Sequence, residues 1–508
     1  MWNNSNNREI IENKNNGHNQ NTITKITTTS QPTHELTVSS LSYNKEQQFS
    51  SSSLATKSSS SRSTKTNENC SQCNKFDQFK SVDDERICLC ELDDQMNLFK
   101  YSSYNFHQHS TKSMIFDNPG QIYNYINRCR RWIKVLEPDN VARRQNQFSL
   151  TTYNILAQNL LLNHLYLYRD SNKSDLEWLE RSNRLKQELL ELNSDIFCLQ
   201  EVHLENFTTS ILPTLQERGY QVVSKLKTGQ NHDGCSILFK KNKFRLQDSL
   251  EIQMNRPDVS NLLDRDQVAL VVKLRPIGRF RAENNTNLIV ANTHLLFNPK
   301  RGDIKLAQLR LLLAEIQRFA IRNDSANTAT KDPFKMNYFP IILCGDFNSE
   351  PKSALIEFIK KGQFNFRGLY SGDISGQREG FEKGRMLQKS DLVLNGIDFN
   401  TCFTNCTNES IETSNIFDES EDLTVRHVFD FKSVYPIMDQ FNLQFISTST
   451  HFDCGLVDHL FYSHNHKNLR LSAFKQLMNK QNLKKIGNIP NSILGSDHIA
   501  LSAKFYLS

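Results

Sequence analysis

The stretch Leu343-Cys344-Gly345-Asp346-Phe347-Asn348-Ser349 carries a carboxylate and a carboxamide two residues apart, just past a glycine. An apolar run from Phe339 to Leu343 leads into it. Side chains two apart in a strand share a face. Asp346 and Asn348 therefore converge at a strand end. An acid and an amide held together suit a metal-assisted attack of water on phosphate. By itself the motif is weak, because Gly-Asp pairs also make ordinary turns.

The pattern repeats along the chain. Asn154 follows the alternating run Phe148 to Tyr153. Glu201 follows Ile196 to Leu199, one residue after Gln200. His294 follows Leu288 to Val290, and Asp458 follows Gly455-Leu456-Val457. Asp497-His498 precedes the apolar run from Ile499 to Phe505. Each has a bland reading: a turn cap for Asn154, a solvated strand end for Glu201, a satisfied core histidine for His294, a lysine pair for Asp458. Polar groups are costly at core margins unless satisfied. Their shared position at strand ends points to one active site.

The elements that must position these residues form a mixed α/β pattern from about Phe148 onward. Strands are expected at Asp195 to Leu199, Gly234 to Phe239, Val268 to Leu274 and Leu288 to Asn292. Asn183 to Asn193 reads as a helix with Leu185, Leu189 and Leu192 on one face. Leu306, Leu309, Leu313 and Ile316 have helical spacing and suit core packing. Residues 371–424 break the rhythm and read as a surface insertion.

The chain has 508 residues, 37% of them hydrophobic, with a net charge of +6. That charge is too mild to establish a nucleic-acid partner. No apolar run approaches the ~18 residues of a membrane span, so no membrane role is expected. Residues 1–120 are rich in Ser, Asn, Thr and Gln, and read as a disordered tail. Cys70, Cys73, Cys88 and Cys90 lie in that tail. Their C-x2-C and C-x-C spacing makes only a weak zinc signal. Cys198, Cys235 and Cys344 sit in apolar runs and read as small core residues. Without a signal-peptide pattern at the start, reduced thiols and an intracellular location are expected, cytoplasmic or nuclear.

These motifs, in this order, resemble the endonuclease/exonuclease/phosphatase superfamily. The matching segments are Thr152 to Gln158, Cys198 to Val202, Lys227-Thr228-Gly229 with Asp233-Gly234-Cys235, Leu263 to Asp266, and Ala291 to Lys305. Cys344 to Ser349, Val457-Asp458 and Ser496-Asp497-His498 complete the set. Within the superfamily the chain resembles the Angel subfamily, relatives of carbon-catabolite-repressor deadenylases and nocturnin. The likeness covers residues 125–508 apart from much of the insertion. It implies a four-layer αββα sandwich.

The resemblance also implies roles. Glu201 would be the main magnesium ligand, with Asn154 and Asp497 completing one or two metal positions; Mn2+ is an alternative ion. Asp346 would orient or deprotonate water, and Asn348 would hold it. Asp458 would steady His498, which donates to the phosphate, and His294 would stabilise charge on the phosphate oxygens. Gln267 stands where the branch usually has Asn, and with Phe297 it is a candidate substrate contact. His459 stands where the branch usually has Tyr, and reads as a packing change.

The function implied is magnesium-dependent hydrolysis of phosphodiesters at RNA 3′ ends. Deadenylase-like 3′–5′ exoribonuclease action is the first expectation. Opening of 2′,3′-cyclic phosphates is the second. A catalytically silent protein that binds RNA or translation factors is the alternative from another class. Inositol phosphatases and abasic-site endonucleases usually carry Trp where Cys344 stands here. The expected partners are RNA 3′ ends and, through the tail, mRNA-decay or translation factors.

Overall fold

The computed structural model describes residues 116, 118–136, 146–278, 286–322, 333–398, 402, 422–451 and 454–507. Most of the expected tail, with its four cysteines, lies outside the described residues. The expected boundary near residue 125 moves earlier, because a helix over Pro119–Cys129 buries Tyr125 and Ile126.

Two sheets face each other. The seven-stranded sheet runs in the order Trp132–Lys134, Leu469–Lys475, Leu501–Leu507, Gln147–Asn154, Ile196–Gln200, Gly234–Lys240, Tyr220–Leu226. The six-stranded sheet runs Phe431–Ser433, Asp458–Ser463, Ile341–Asp346, Leu288–His294, Val268–Pro276, Phe244–Gln253. Neighbours are antiparallel except for one central pair in each sheet. Gln147–Asn154 runs parallel to Ile196–Gln200, and Leu288–His294 runs parallel to Ile341–Asp346.

Strand alternation sorts the apolar residues into layers. Leu288 and Val290, Ile342 and Cys344, Ile196 and Cys198 point between the sheets. Ile289 and Ala291, Ile341 and Leu343 point outward, beneath the helices Gly302–Ala320 and Ala354–Lys361. Phe197 and Leu199 point out on the other side, beneath the helix Trp178–Leu192. The result is helix, sheet, sheet, helix, the αββα sandwich that the resemblance implies.

The same parity fixes the site. Asn154, His294, Asp346 and Asp458 share phase with the inward-pointing residues of their strands. They fall where the inter-sheet core ends. Just beneath them, two inward amides replace apolar packing. Gln200 Nε2 donates to Asn292 Oδ1 at 2.6 Å and to Thr152 Oγ1 at 3.0 Å. Asn292 Nδ2 donates to the carbonyls of Leu199 at 2.9 Å and Ser236 at 3.1 Å.

Gly345 belongs to a strand, not to the ordinary turn that a Gly-Asp pair can make. Its φ is +141°, and a Cβ there would lie 1.9 Å from the Thr293 carbonyl oxygen. His459 proves to be packing: it is buried, donates from Nε2 to the Ser349 carbonyl at 2.8 Å, and stacks on Phe461.

The reading of 371–424 as a surface insertion needs correction over its first half. Ile374, Leu387, Leu392, Leu394 and Ile397 are buried in the same core as the helix Gly302–Ala320. Residues 403–421 lie outside the described residues. Among the described residues, no helix is long and apolar enough to cross a membrane.

Replacing Asn292 by Leu strips two strand carbonyls and Gln200 of their partner. The expected loss is roughly 2–4 kcal/mol of folding stability, since each buried unsatisfied group costs about 1–3 kcal/mol. Guanidinium unfolding of both proteins measures it. A change within about 0.5 kcal/mol, as for an ordinary surface substitution, would mean that the amide pair does not hold the sheets.

Candidate active site

Register brings the first residues together. His294 is level with Asp346, and Asp346 with Asp458, across three adjacent strands of one sheet. Opposite them, Asn154 is level with Gln200, so Glu201 lies one residue beyond. Glu201 would point outward by simple alternation, but its φ of 53° turns it back. Asn348 also adopts a left-handed φ, 47°. Such backbone is uncommon for non-glycine residues and gathers at functional sites.

The side chains meet across the gap between the sheets. Asn154 Nδ2 donates to Glu201 Oε1 at 2.9 Å and to Asp346 Oδ2 at 3.1 Å. The Ala157 amide donates to Glu201 Oε2 at 3.0 Å. Asp346 Oδ1 accepts from the Asn348 amide at 2.9 Å. Asn348 Nδ2 donates to the Leu295 carbonyl at 3.0 Å. His498 Nδ1 lies 2.7 Å from Asp458 Oδ2, and its Nε2 lies 3.7 Å from Asp346 Oδ2. His294 Nε2 approaches the same oxygen at 3.5 Å. Tyr168 donates to Asp497 Oδ2 at 2.8 Å. Of the ten residues proposed from sequence, eight thus form one cluster. Gln267 and Phe297 stand apart from it. Gln267 Oε1 accepts from Gln308 Nε2 at 3.1 Å, and Gln308 Oε1 accepts from the Leu296 amide at 3.0 Å. Gln267 therefore braces the loop that follows His294. Phe297, on that loop, is 62% exposed.

The two histidines are held in opposite charge states. Burial pulls His294 down to about 4, against the pull of Asp346, so it is neutral at pH 7. Burial also works against a charged His498. Asp458 outweighs it, with Asp497 and Asp346 behind, and pushes His498 well above its ordinary value. Burial, followed by Asp458, raises Asp346, and burial, followed by Asp497, raises Glu201.

Which groups could hold a metal follows from these bonds. Asp346, Asp458 and His498 offer atoms within 4.8 Å of one another. A protonated imidazole already bonded to a carboxylate is a poor ligand, so this trio reads as a hydrogen-bonded relay. The Glu201 side fits better. Its donors are oxygens, which suit a hard divalent cation. Asp497 Oδ1 is buried without a hydrogen-bond partner among the described residues, as is Asp458 Oδ1 in the trio. Such an atom is costly unless a positive group satisfies it.

Three positions near the cluster had no assigned role in the sequence reading. Tyr168 reaches Asp497 from 329 residues away, a contact that no local pattern signals. Lys227 pairs with Asp233 at 2.6 Å. Burial works against its charge, but Asp233 and Glu201 keep it raised. Lys305 is fully buried, and its ammonium donates to the Asn348 carbonyl at 2.7 Å and to Gln377 Oε1 at 2.5 Å. Burial pulls it down to about 7, with Asp346 and Glu379 opposing. Its signals in the sequence were its place at the end of the matching segment Ala291 to Lys305 and a lysine beside the apolar helix residues Ile304 and Leu306.

Known proteins resemble the chain in sequence and in fold. The model of the Endonuclease/Exonuclease/phosphatase family matches residues 151–498. Protein angel homolog 2 of Bos taurus is 33% identical over 455 residues, 81% of each chain. The chain belongs to the angel branch of the endonuclease/exonuclease/phosphatase family. The human protein angel homolog 2 is 35% identical, over 74% of this chain and 73% of its own length. A crystal structure of ANGEL2, described as a 2′,3′-cyclic phosphatase in complex with adenosine-2′,3′-vanadate, superposes with a TM-score of 0.64. It is 36% identical, and the match covers 74% of this chain and 98% of that one. As an angel-branch member, the chain is a hydrolase of the phosphodiester-cleaving class.

Lys305→Met keeps the length of the side chain and removes the clamp on Asn348. The expected result is a fall in kcat of about 100-fold, the scale of a ~1 Å misplacement. KM should stay within about twofold, as it does when no ground-state binding is lost. Steady-state kinetics with a circular-dichroism check of folding would measure this. An unchanged kcat would show that Asn348 is held without Lys305.

Proposed function

We propose that the chain hydrolyses 2′,3′-cyclic phosphates at RNA 3′ ends with magnesium as its cation. The observation that carries this reading is the likeness to ANGEL2, whose crystal structure is described as that of a 2′,3′-cyclic phosphatase. It reverses the order of the first expectation. The family supports phosphodiester hydrolysis in general, whereas the solved relative supports the cyclic end in particular. Exoribonuclease action becomes the competing outcome of the test.

In this reading Glu201, Asn154 and Asp497 hold the cation, which when bound polarises the phosphate oxygens. Asp346 takes a proton from the attacking water. Its raised affinity for protons, set by burial and Asp458, suits a general base. Asn348 is anchored through Nδ2 to the Leu295 carbonyl, which leaves Oδ1 to orient that water. His498, fixed through Nδ1 by Asp458, presents Nε2–H to a phosphate oxygen. The neutral His294 donates a second hydrogen bond where charge develops. The water oxygen bonds to phosphorus, one bond from phosphorus to a ribose oxygen breaks, that oxygen takes a proton from solvent, and the ring opens to a monoester. Gln267 acts on substrate through the Leu296 loop it braces, and Phe297 offers a ring face to the terminal base.

Full-length protein offered RNA ending in a 2′,3′-cyclic phosphate, and the same RNA and oligo(A) ending in 3′-hydroxyl, decides between the readings. The cyclic end should open without shortening of the chain, and excess EDTA should stop it. Asp346→Ala and Glu201→Ala should each lower the rate by about 10²–10⁴-fold, the usual scale for removing an acid or base. Laddered shortening of the hydroxyl-ended RNA, with the cyclic end untouched, selects the exoribonuclease. Binding of RNA with no turnover of any substrate selects the silent protein.

A further inference from the structure

The loop after His294 is not alone at the mouth of the site. Residues 370–386 fold back on themselves and lock against it. Tyr370 and Met386 form an antiparallel bridge, and the Gly372 amide donates to the Lys383 carbonyl at 3.0 Å. The Gly302 amide donates to the Ser371 carbonyl at 2.9 Å, and Ser371 Oγ donates to the Lys300 carbonyl at 2.9 Å. A Cβ at Gly380 would lie 2.4 Å from the Pro299 carbonyl oxygen. The two segments therefore pack backbone to backbone and make one rigid ledge. Gln377 ties that ledge to the catalytic turn, because Lys305 bonds both Gln377 Oε1 and the Asn348 carbonyl.

The ledge presents rings and cations in alternation. Phe297 and Phe381 are 62% and 63% exposed, Met386 50% and Tyr370 38%. Lys300 follows Phe297 by three residues, and Lys383 follows Phe381 by two. Lys300, Arg378 and Lys383 are exposed, and the described carboxylates form no ion pair with them. Lys383 donates instead to the Glu379 carbonyl. Asp373, Glu379 and Glu382 share the turn and balance these three cations, so the rings carry more of the fit. Rings interleaved with cations on a rigid surface suit stacked bases and their backbone.

We infer that this ledge binds the single-stranded RNA just upstream of the reacting 3′ end, with a base on Phe381 and its phosphate at Lys383. The inference rests on the proposed reaction at RNA ends. It makes the enzyme prefer oligonucleotides to mononucleotides through contacts that take no part in the chemistry.

The test compares adenosine 2′,3′-cyclic phosphate with a ten-nucleotide unstructured RNA ending in the same group. Phe381→Ala and Lys383→Ala are assayed singly and together. For the ten-mer, Phe381→Ala should raise KM about tenfold, within the range for losing one stacked base, and leave kcat unchanged. Lys383→Ala should flatten the dependence of its KM on salt. Both variants should hydrolyse the mononucleotide as the parent does. Equal effects on the two substrates, or none on either, overturn the ledge and leave the reaction intact. Light scattering adds a third outcome. If Phe381→Ala abolishes self-association and leaves the ten-mer KM unchanged, the ledge is a contact between copies of the chain and the RNA inference falls. A parent enzyme inert toward both cyclic substrates overturns the proposed reaction, and the inference with it.

Discussion

Everything at the mouth of this sandwich depends on polar contacts that cross between two separate sheets. Asn154 and Asp346 meet at 3.1 Å, His498 and Asp458 at 2.7 Å, and Gln200 and Asn292 at 2.6 Å. In each pair one residue belongs to the seven-stranded sheet and its neighbouring loop, the other to the six-stranded sheet. The distance between the sheets is therefore the variable that sets the geometry of the site. Protein interiors are close-packed and resist compression. The apolar residues between the sheets thus act as a spacer for the catalytic groups above them.

A second constraint is electrostatic. Four carboxylates, Glu201, Asp346, Asp458 and Asp497, crowd a largely dehydrated space. Burial raises the affinity of Glu201 and Asp346 for protons. His498 offsets part of that charge, and Lys227 and Lys305 approach from the two flanks. The unsatisfied oxygens of Asp497 and Asp458 leave the site short of positive charge on both sides. A hard cation bound beside Glu201 would relieve that deficit.

Strand periodicity made much of this legible in the sequence. Asn154, His294, Asp346 and Asp458 end apolar strands in inward phase, so their convergence could be read before any coordinates. The turn of Glu201 into the site could not, because it depends on a left-handed φ that the residue type does not announce. Tyr168 and Lys305 act through contacts far along the chain, which no local spacing records. The strands Tyr220–Leu226 and Phe244–Gln253 went unread because their exposed residues dilute the alternation. Residues 371–398 looked like a loose surface segment because glycine and polar residues separate Ile374, Leu387, Leu392 and Leu394. The fold buries those four without using a regular helix or strand. Phosphodiester hydrolysis is a class that strand-end residues can suggest, whereas substrate choice depends on loop surfaces that carry no periodic signal.

Glu201 and Asn348 hold left-handed backbone, and a glutamate in that conformation costs the fold where glycine would not. Glu201, Asp346 and Asp458 also crowd charge into a place that an uncharged side chain would fill at lower cost. Folding and activity thus pull these positions in opposite directions. An inactive form of this enzyme with glycine or asparagine at 201 should melt later than the active one. The positions that gather charge and left-handed backbone are thus the ones where the fold alone would favour another residue.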